Sequence, residues 1–397
     1  MENYATAERG FSQNVLSRLK TVLRDQVRPI ALHEPRFSGN EWAYVKECLD
    51  SGWVSSVGSF VTRFENELCE ITGAKYAIAV VNGTAALHIA LKLAGVVAGD
   101  EVMIPALTFV AAANAVSYCN AVPHFVDINE RTLGICPKSL QQYLDRIAIV
   151  ENGVCLNRDT RRPIRALMPM HTFGHAVDLD ALVEIAERYG LIIVEDCAEA
   201  LGSSYKQRHL GVTGLVSALS FNGNKIVTTG GGGAILTNDI KLAGLARHLT
   251  TTAKVSHPWN FDHDMVGYNY RLPNINAALG CAQLESLATN LVSKRKLFVE
   301  YAQIFADLPG VTLFEETIDC KSNYWLQALI LNPSHAHYLE ELLRLTNDAG
   351  IMTRPVWTPM HQLSHFSMHP RAPLPNTESI AGRLLNIPSS AHVIGEK

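Results

Sequence analysis

Seven short apolar runs, poor in charge, recur between residues 76 and 238, and helical segments lie between most of them. The runs are 76–81, 101–105, 122–127, 164–170, 191–196, 217–221 and 233–238, with helical patterns at 84–93, 110–118, 138–149 and 179–189. Strands that lack a polar face are covered on both sides. Strands separated by helices pair in parallel. The spacing therefore predicts a mostly parallel seven-stranded sheet in an α/β fold. The last two runs lie close together. A short glycine-rich segment joins them, so an antiparallel pair is expected there.

The ends of the chain read differently. Phe11, Val15, Leu19 and Leu23 recur every four residues, which predicts an amphipathic helix over 11–27, with Val22 and Val27 on or near its apolar face. Beyond Asn274 one long helical segment runs to about 305, where Leu308-Pro309-Gly310 breaks it. A strand at 324–331, a helix at 336–349 and a strand near 352–357 follow, and they read as a smaller C-terminal α+β domain. The expected division is an N-terminal helix and arm at 1–40, a large domain at 41–285 and a small domain at 286–397. A chain of 397 residues, 47% hydrophobic, supports two such cores.

Several function classes are disfavoured. The formal net charge is -4, and no run of like charge suggests a nucleic-acid partner. No apolar stretch reaches membrane-spanning length, and residues 1–10 lack a secretory pattern. Eight scattered cysteines without a C-x-x-C pair read as reduced core thiols, so a cytoplasmic protein is expected. His171 and His175 flank a Phe173-Gly174 loop and no metal-ligand spacing is present, so no metal is expected.

In parallel sheets ligands sit at the carboxyl ends of the strands. The first strand is followed by Asn82-Gly83-Thr84-Ala85, which opens a helix. That is either a phosphate cradle or an ordinary cap by Thr84. Phe109 follows the second strand, and it either packs in the core or lies against a bound ring. The fifth strand closes on Glu195-Asp196, whose side chains alternate to opposite faces. A buried Asp196 needs a cation, a helix N-terminus or a protonated ring nitrogen as partner. Lys225 lies in Asn222-Gly223-Asn224-Lys225, after the sixth strand. It is either a hairpin surface lysine or a partly desolvated Schiff-base lysine, whose ammonium burial disfavours. The order of cradle, ring, acid and lysine favours the second reading.

Six motifs carry a resemblance. They are Gly52-Trp53-Val54-Ser55, Asn82-Gly83-Thr84-Ala85-Ala86-Leu87, Pro105-Ala106-Leu107-Thr108-Phe109, Glu195-Asp196-Cys197-Ala198-Glu199-Ala200, Ser220-Phe221 with Lys225 and Thr228-Thr229-Gly230, and Gly267-Tyr268-Asn269-Tyr270-Arg271-Leu272. From His33 onward the chain resembles the DegT/StrS-type sugar aminotransferases, enzymes of the aspartate-aminotransferase fold (fold type I) that use pyridoxal 5′-phosphate. The resemblance implies Lys225 as the cofactor's anchor and Asp196 as partner of its ring nitrogen. Gly83, Thr84, Ala85 and Ser220 become phosphate contacts, and Phe109 the ring stacker. Glu199 lies beside the ring where many relatives carry glutamine or histidine. Asn269 is implied to reach a neighbouring subunit's phosphate, so a homodimer with a shared active site is expected.

Ser322-Asn323-Tyr324-Trp325-Leu326 and the segment from Thr353 to His361 resemble enzymes that aminate C4 of a nucleotide-linked 4-keto-6-deoxy-2-acetamido sugar, as on the routes to bacillosamine or legionaminic acid. Amination of a GDP-linked sugar such as a perosamine precursor stays open, as does a non-catalytic regulatory role. Glutamate is the amino donor that the family implies. Trp53, Ser55, Tyr324, Trp325, Arg354, Trp357 and His361 are the candidate sugar contacts, against a core reading for Trp325 and Trp357.

Overall fold

The computed structural model describes residues 2–23 and 26–393. Its main sheet has seven strands: β1 (Tyr76–Val80), β2 (Glu101–Pro105), β3 (Val122–Val126), β4 (Ile164–Leu167), β5 (Ile192–Asp196), β6 (Val216–Ser220) and β7 (Gly233–Thr237). They lie in the order β1-β7-β6-β5-β4-β2-β3. All pairs are parallel except those made by β7, which runs antiparallel to both β1 and β6.

Alternate residues of each strand feed different cores. Ala77, Ala79, Leu219 and Leu236 join one apolar cluster, and Ile78, Val80, Ala218 and Ile235 join the other. Both faces are dry, which is why the strands carry no polar alternation. Each large aliphatic side chain so buried contributes about 1.5–3 kcal/mol.

A third core joins the chain ends. Val15, Leu19 and Leu23 pack with Tyr301, Phe305, Leu329, Leu331, Leu385 and Ile387. Four short strands, Val311–Leu313, Gln327–Leu331, Leu384–Ile387 and Arg354–Pro355, form the antiparallel sheet at its centre.

The structure departs from the sequence reading in several places; the strand expected at 324–331 starts only at Gln327, and the one near 352–357 is the pair Arg354–Pro355. The first helix spans Glu2–Val22, and Val27 is 89% exposed rather than on its apolar face. Arg24 and Asp25, within the expected helix, lie outside the described residues. The helix expected at 138–149 ends at Ile147, and a hairpin of Ala148–Glu151 and Val154–Asn157 follows. Here a β-branched Ile149-Val150 pair prefers the strand. The long segment after Asn274 is two helices, Asn274–Glu285 and Leu287–Phe305, meeting at Ser286.

Candidate active site

The carboxyl ends of β1, β2, β5 and β6 open onto one region, and most of the singled-out residues follow them. Lys225 does not sit in a tight hairpin. It lies on a longer crossing between β6 and β7, held by Phe221 N–H to Gly232 O at 2.8 Å and Thr229 N–H to Phe221 O at 3.0 Å. A turn bond from Lys225 N–H to Asn222 O aims the side chain inward. The side chain is 12% exposed, and its Nζ lies 3.1 Å from Glu199 Oε1.

Glu199 is nearly sealed, with 2% of its side chain exposed. Its Oε2 accepts the Phe173 N–H at 2.9 Å. Phe173 itself has a left-handed φ of 56°. Burial raises the Glu199 carboxyl above its ordinary range, while Lys225 and the Phe173 amide oppose this. The ring of Trp325 closes the other side of the lysine, 3.7 Å from Nζ to the ring centroid. The Trp325 indole N–H donates to Asn224 O at 2.7 Å, which pins the same turn.

Asp196 ends β5, fully enclosed. Its carboxylate accepts one bond among the described residues, from Ala198 N–H at 3.1 Å. Burial raises its pKa, and the amide, Lys225 and His171 oppose it. Its neighbour Glu195 faces the other way and is saturated. It takes the Gly211, Thr213 and Gly214 amides and His171 Nε2. The two acids at one strand end thus differ: one is satisfied by the protein, and the other lacks a cation.

The helix Gly83–Leu93 starts beside them. Asn82, not Thr84, caps it, with Asn82 Oδ1 accepting Ala85 N–H at 2.7 Å. The Ala85 amide is thus engaged by the Asn82 cap. The Gly83 and Thr84 amides carry no protein acceptor among the described residues. A Cβ at Gly83 would stand 2.8 Å from Ser220 Cβ, so only glycine lets Ser220 approach this helix start. Phe109 is 52% exposed at the end of β2, which removes the core reading for it. Trp357 is half-buried between Phe109 and Phe173, with ring centroids at 6.3 and 5.4 Å. These features fit pyridoxal phosphate: a lysine within reach, an enclosed acid without a cation, a helix start with a serine, and an aromatic ring standing open.

Other expected residues fall elsewhere. Tyr324 is buried, stacked on Phe298 at 4.3 Å and edge-on to His175 at 5.3 Å, so it cannot read a sugar. Trp325 is buried against the lysine rather than open to a sugar. Arg354 lies on the edge strand of the small sheet, donating to Asn347 Oδ1 and Thr353 O. His361 is turned onto Glu378 Oε1 at 3.2 Å. Its neighbour Met360 N–H ties the segment to Ala106 O, beside Phe109. Asn269 is exposed, on a segment bridged to Thr251. Trp53 and Ser55 sit on an exposed loop fixed by Asn274, through Nδ2 to Trp53 O at 2.7 Å and N–H to Ser55 O at 2.6 Å. Trp53, Arg271 and Asn274 line a cleft of about 650 Å³ that does not include Lys225.

Sequence reasoning missed the part played by Phe173 and Asn323. Their signal was Gly174, whose φ of 91° and close approach leave no room for a Cβ beside Asn323 Oδ1. No helix among the described residues is long and apolar enough to cross a membrane.

Comparison with known proteins agrees with this geometry. A family model for the DegT/DnrJ/EryC1/StrS aminotransferases matches residues 35–397. The chain is 36% identical over 372 residues to a GDP-perosamine synthase of Escherichia coli O157:H7, covering 93% of this chain and 95% of the relative. It is 36% identical over 363 residues to a GDP-perosamine synthase of Caulobacter vibrioides, covering 91% and 93%. A crystal structure of a DegT DnrJ EryC1 StrS aminotransferase from Brucella abortus superimposes with a TM-score of 0.80 at 26% identity, covering 89% and 91%.

Proposed function

This chain belongs to the DegT/DnrJ/EryC1/StrS aminotransferase family, and on that premise we propose that it transfers an amino group, from glutamate, to C4 of a GDP-linked keto sugar. It is a pyridoxal-phosphate-dependent sugar aminotransferase. The finer reading concerns the nucleotide and the sugar. Two relatives named as GDP-perosamine synthases, each matching over nine-tenths of the chain, favour GDP over the UDP-linked 2-acetamido sugar expected from the motifs.

The observation that carries the chemistry is Lys225 Nζ at 3.1 Å from an enclosed carboxyl, beside a second enclosed acid without a cation. When bound, pyridoxal phosphate supplies a ring that draws electrons from the amino-bearing carbon. Asp196 holds a proton at the ring nitrogen, which supplies the positive partner its carboxylate lacks. The Gly83 and Thr84 amides and Ser220 Oγ receive the phosphate at the helix start. Phe109 covers one face of the ring. Lys225 anchors the cofactor and, once released, moves the proton at the reacting carbon through Nζ. Trp53 and Ser55 border the sugar's approach, and Asn269 serves the site of a second copy in a homodimer.

The test is incubation of the protein with glutamate and either GDP- or UDP-linked 4-keto-6-deoxy sugars, with mass detection of the amino product. An amino product from the GDP sugar is expected. Turnover of the UDP-linked 2-acetamido sugar alone overturns the nucleotide assignment. Lys225→Ala is expected to lose both colour and turnover.

A further inference from the structure

Lys225 spends part of each transamination cycle detached from the cofactor, and its ammonium then needs a place to rest. The side chain already rests somewhere specific. Nζ meets one oxygen of Glu199 at 3.1 Å and the face of Trp325 at 3.7 Å. The other oxygen of Glu199 is fixed by Phe173 N–H. Trp325 is fixed by its own N–H on Asn224 O, in the lysine's turn. A carboxylate and an aromatic face are the two surfaces that favour an ammonium over a neutral amine.

We infer that Glu199 and Trp325 form a built seat for the uncoupled Lys225 ammonium, Trp325 as a positioning residue brought from the small domain's side of the site. The inference rests on Lys225 being the cofactor's anchor. The seat holds the lysine charged and parked while the amino group travels on the cofactor. Lys225 leaves the seat as a neutral amine when one N–H proton passes to solvent water: the N–H bond breaks, a hydronium O–H bond forms, and Glu199 stays a carboxylate whose charge opposes this loss. A glutamine there offers one acceptor oxygen, so it cannot accept from both Lys225 Nζ and Phe173 N–H, and it carries no charge to hold the ammonium.

Other charged groups face the same lysine. Asp196 acts from the end of β5. His33, Glu34 and Arg36 of the N-terminal arm, Lys294 of the helix Leu287–Phe305 and His392 near the C-terminus line a small void on its far side. Among the described residues, only Glu199 is within hydrogen-bond distance of Nζ.

The test reads cofactor capture rather than turnover. Full-length protein stripped of cofactor is mixed with pyridoxal phosphate across pH 6 to 10. The rate of colour formation is followed, and borohydride-trapped adduct is measured by mass. Capture needs the neutral amine, so its rate rises with pH to a plateau. A carboxylate favours the ammonium, so Glu199→Gln is expected to move the midpoint down by about one pH unit, a roughly tenfold faster capture on the limb below it. Trp325→Leu should move the midpoint down by about half a unit, and Trp325→Phe, which keeps a π face, should move it less. An unchanged midpoint in Glu199→Gln overturns the seat, because a carboxylate that holds the ammonium must show in the profile. Equal shifts in Trp325→Phe and Trp325→Leu overturn the part given to the ring, and this pair decides that part even where Glu199→Gln does not fold. Lys225→Ala separates the two readings: adduct forming equally in that variant removes the anchor itself, whereas normal capture with an indifferent midpoint removes only the seat.

Discussion

Asn323 is bonded to Glu199, its Nδ2 lying 2.8 Å from the Glu199 carbonyl oxygen. The same Nδ2 donates to Leu201 O at 2.9 Å, and Asn323 Oδ1 accepts Trp325 N–H at 2.8 Å. One buried amide therefore fixes the distance between the acid and the ring that flank Lys225. Its two ends are not interchangeable, since one side must donate twice and the other must accept.

Asn323→Asp tests this. The carboxylate would place a charged oxygen against two carbonyls in a buried position. The expected loss is at least about 2–3 kcal/mol of stability, read by urea unfolding. Asn323→Ala should lose about 1–3 kcal/mol, because three polar backbone groups are left with one partner fewer. A loss under 0.5 kcal/mol in both, on the order of an ordinary surface change, would contradict the role given to Asn323.

Much of the fold was legible because it rests on local pattern. Seven apolar runs gave seven strands, and the short glycine-rich link before β7 marked the antiparallel one. Lys225, Asp196, Gly83 and Ser220 were legible as a set because each follows a strand end, and strand ends share one side of the sheet. The seat around Lys225 was not. Trp325 is 100 residues from Lys225 and reaches it only because Asn323 and the left-handed Phe173 turn bring three segments together, a tertiary fact without a periodic signature. Tyr324 was misread for the complementary reason: a polar aromatic residue in a motif resembles a ligand contact until packing shows where its ring goes.

Asn274 acts as a cap supplied from another helix. The helix Ser59–Thr72 begins after Gly58, which has no side chain to cap it. Asn274 Oδ1 accepts Phe60 N–H at 3.0 Å and Val61 N–H at 3.3 Å, while Nδ2 holds Trp53 O. Asn274→Ala should cost about 1–2 kcal/mol. Asn274→Asp keeps the cap oxygen and loses the link to the Trp53 loop. It is expected to retain most stability while raising KM for the keto sugar several-fold with kcat less affected. An unchanged KM in Asn274→Asp would remove the Trp53 loop from the sugar's path.

Asp196 should lower the stability of the cofactor-free protein at neutral pH. Burial raises its carboxyl pKa, so the folded chain takes up a proton before the unfolded chain does. Stability of the cofactor-free form therefore rises as pH falls through the raised value, and the gain is complete below the ordinary value of about 3.9. Glu199 shifts in the same direction and contributes to the same slope. Asp196→Asn should raise the melting temperature of the cofactor-free protein at pH 7 and flatten its rise in stability as pH falls toward the ordinary carboxyl value. It should also cut turnover by about a hundredfold or more. A cofactor-free variant that melts lower than the parent at pH 7 would contradict this.

Lys294 gives the last test, and it concerns the ground on which Trp325 stands. Its ammonium is fully buried and donates to Trp325 O at 3.1 Å and to Ser389 O. Among the described residues no carboxylate pairs with it, and burial lowers its pKa to about 7. A lysine lowered in the folded state, against about 10.4 when unfolded, binds fewer protons folded than unfolded between those values. Stability from this group therefore rises with pH above about 7, by at most ~1.4 kcal/mol per pH unit. Buried thiols such as Cys119 and Cys155, whose pKa values burial raises to about 11, act in the opposite sense above their ordinary range. They do so equally in a variant, so a difference between proteins isolates Lys294. Lys294→Met removes the titration and leaves two carbonyls short of a donor. The stability of the parent minus that of the variant, from urea unfolding, should grow by about 1–2 kcal/mol between pH 7 and pH 8.5. A difference that stays flat would mean that Lys294 keeps its proton throughout, and that the Trp325 carbonyl is held by a permanent charge rather than a titrating one.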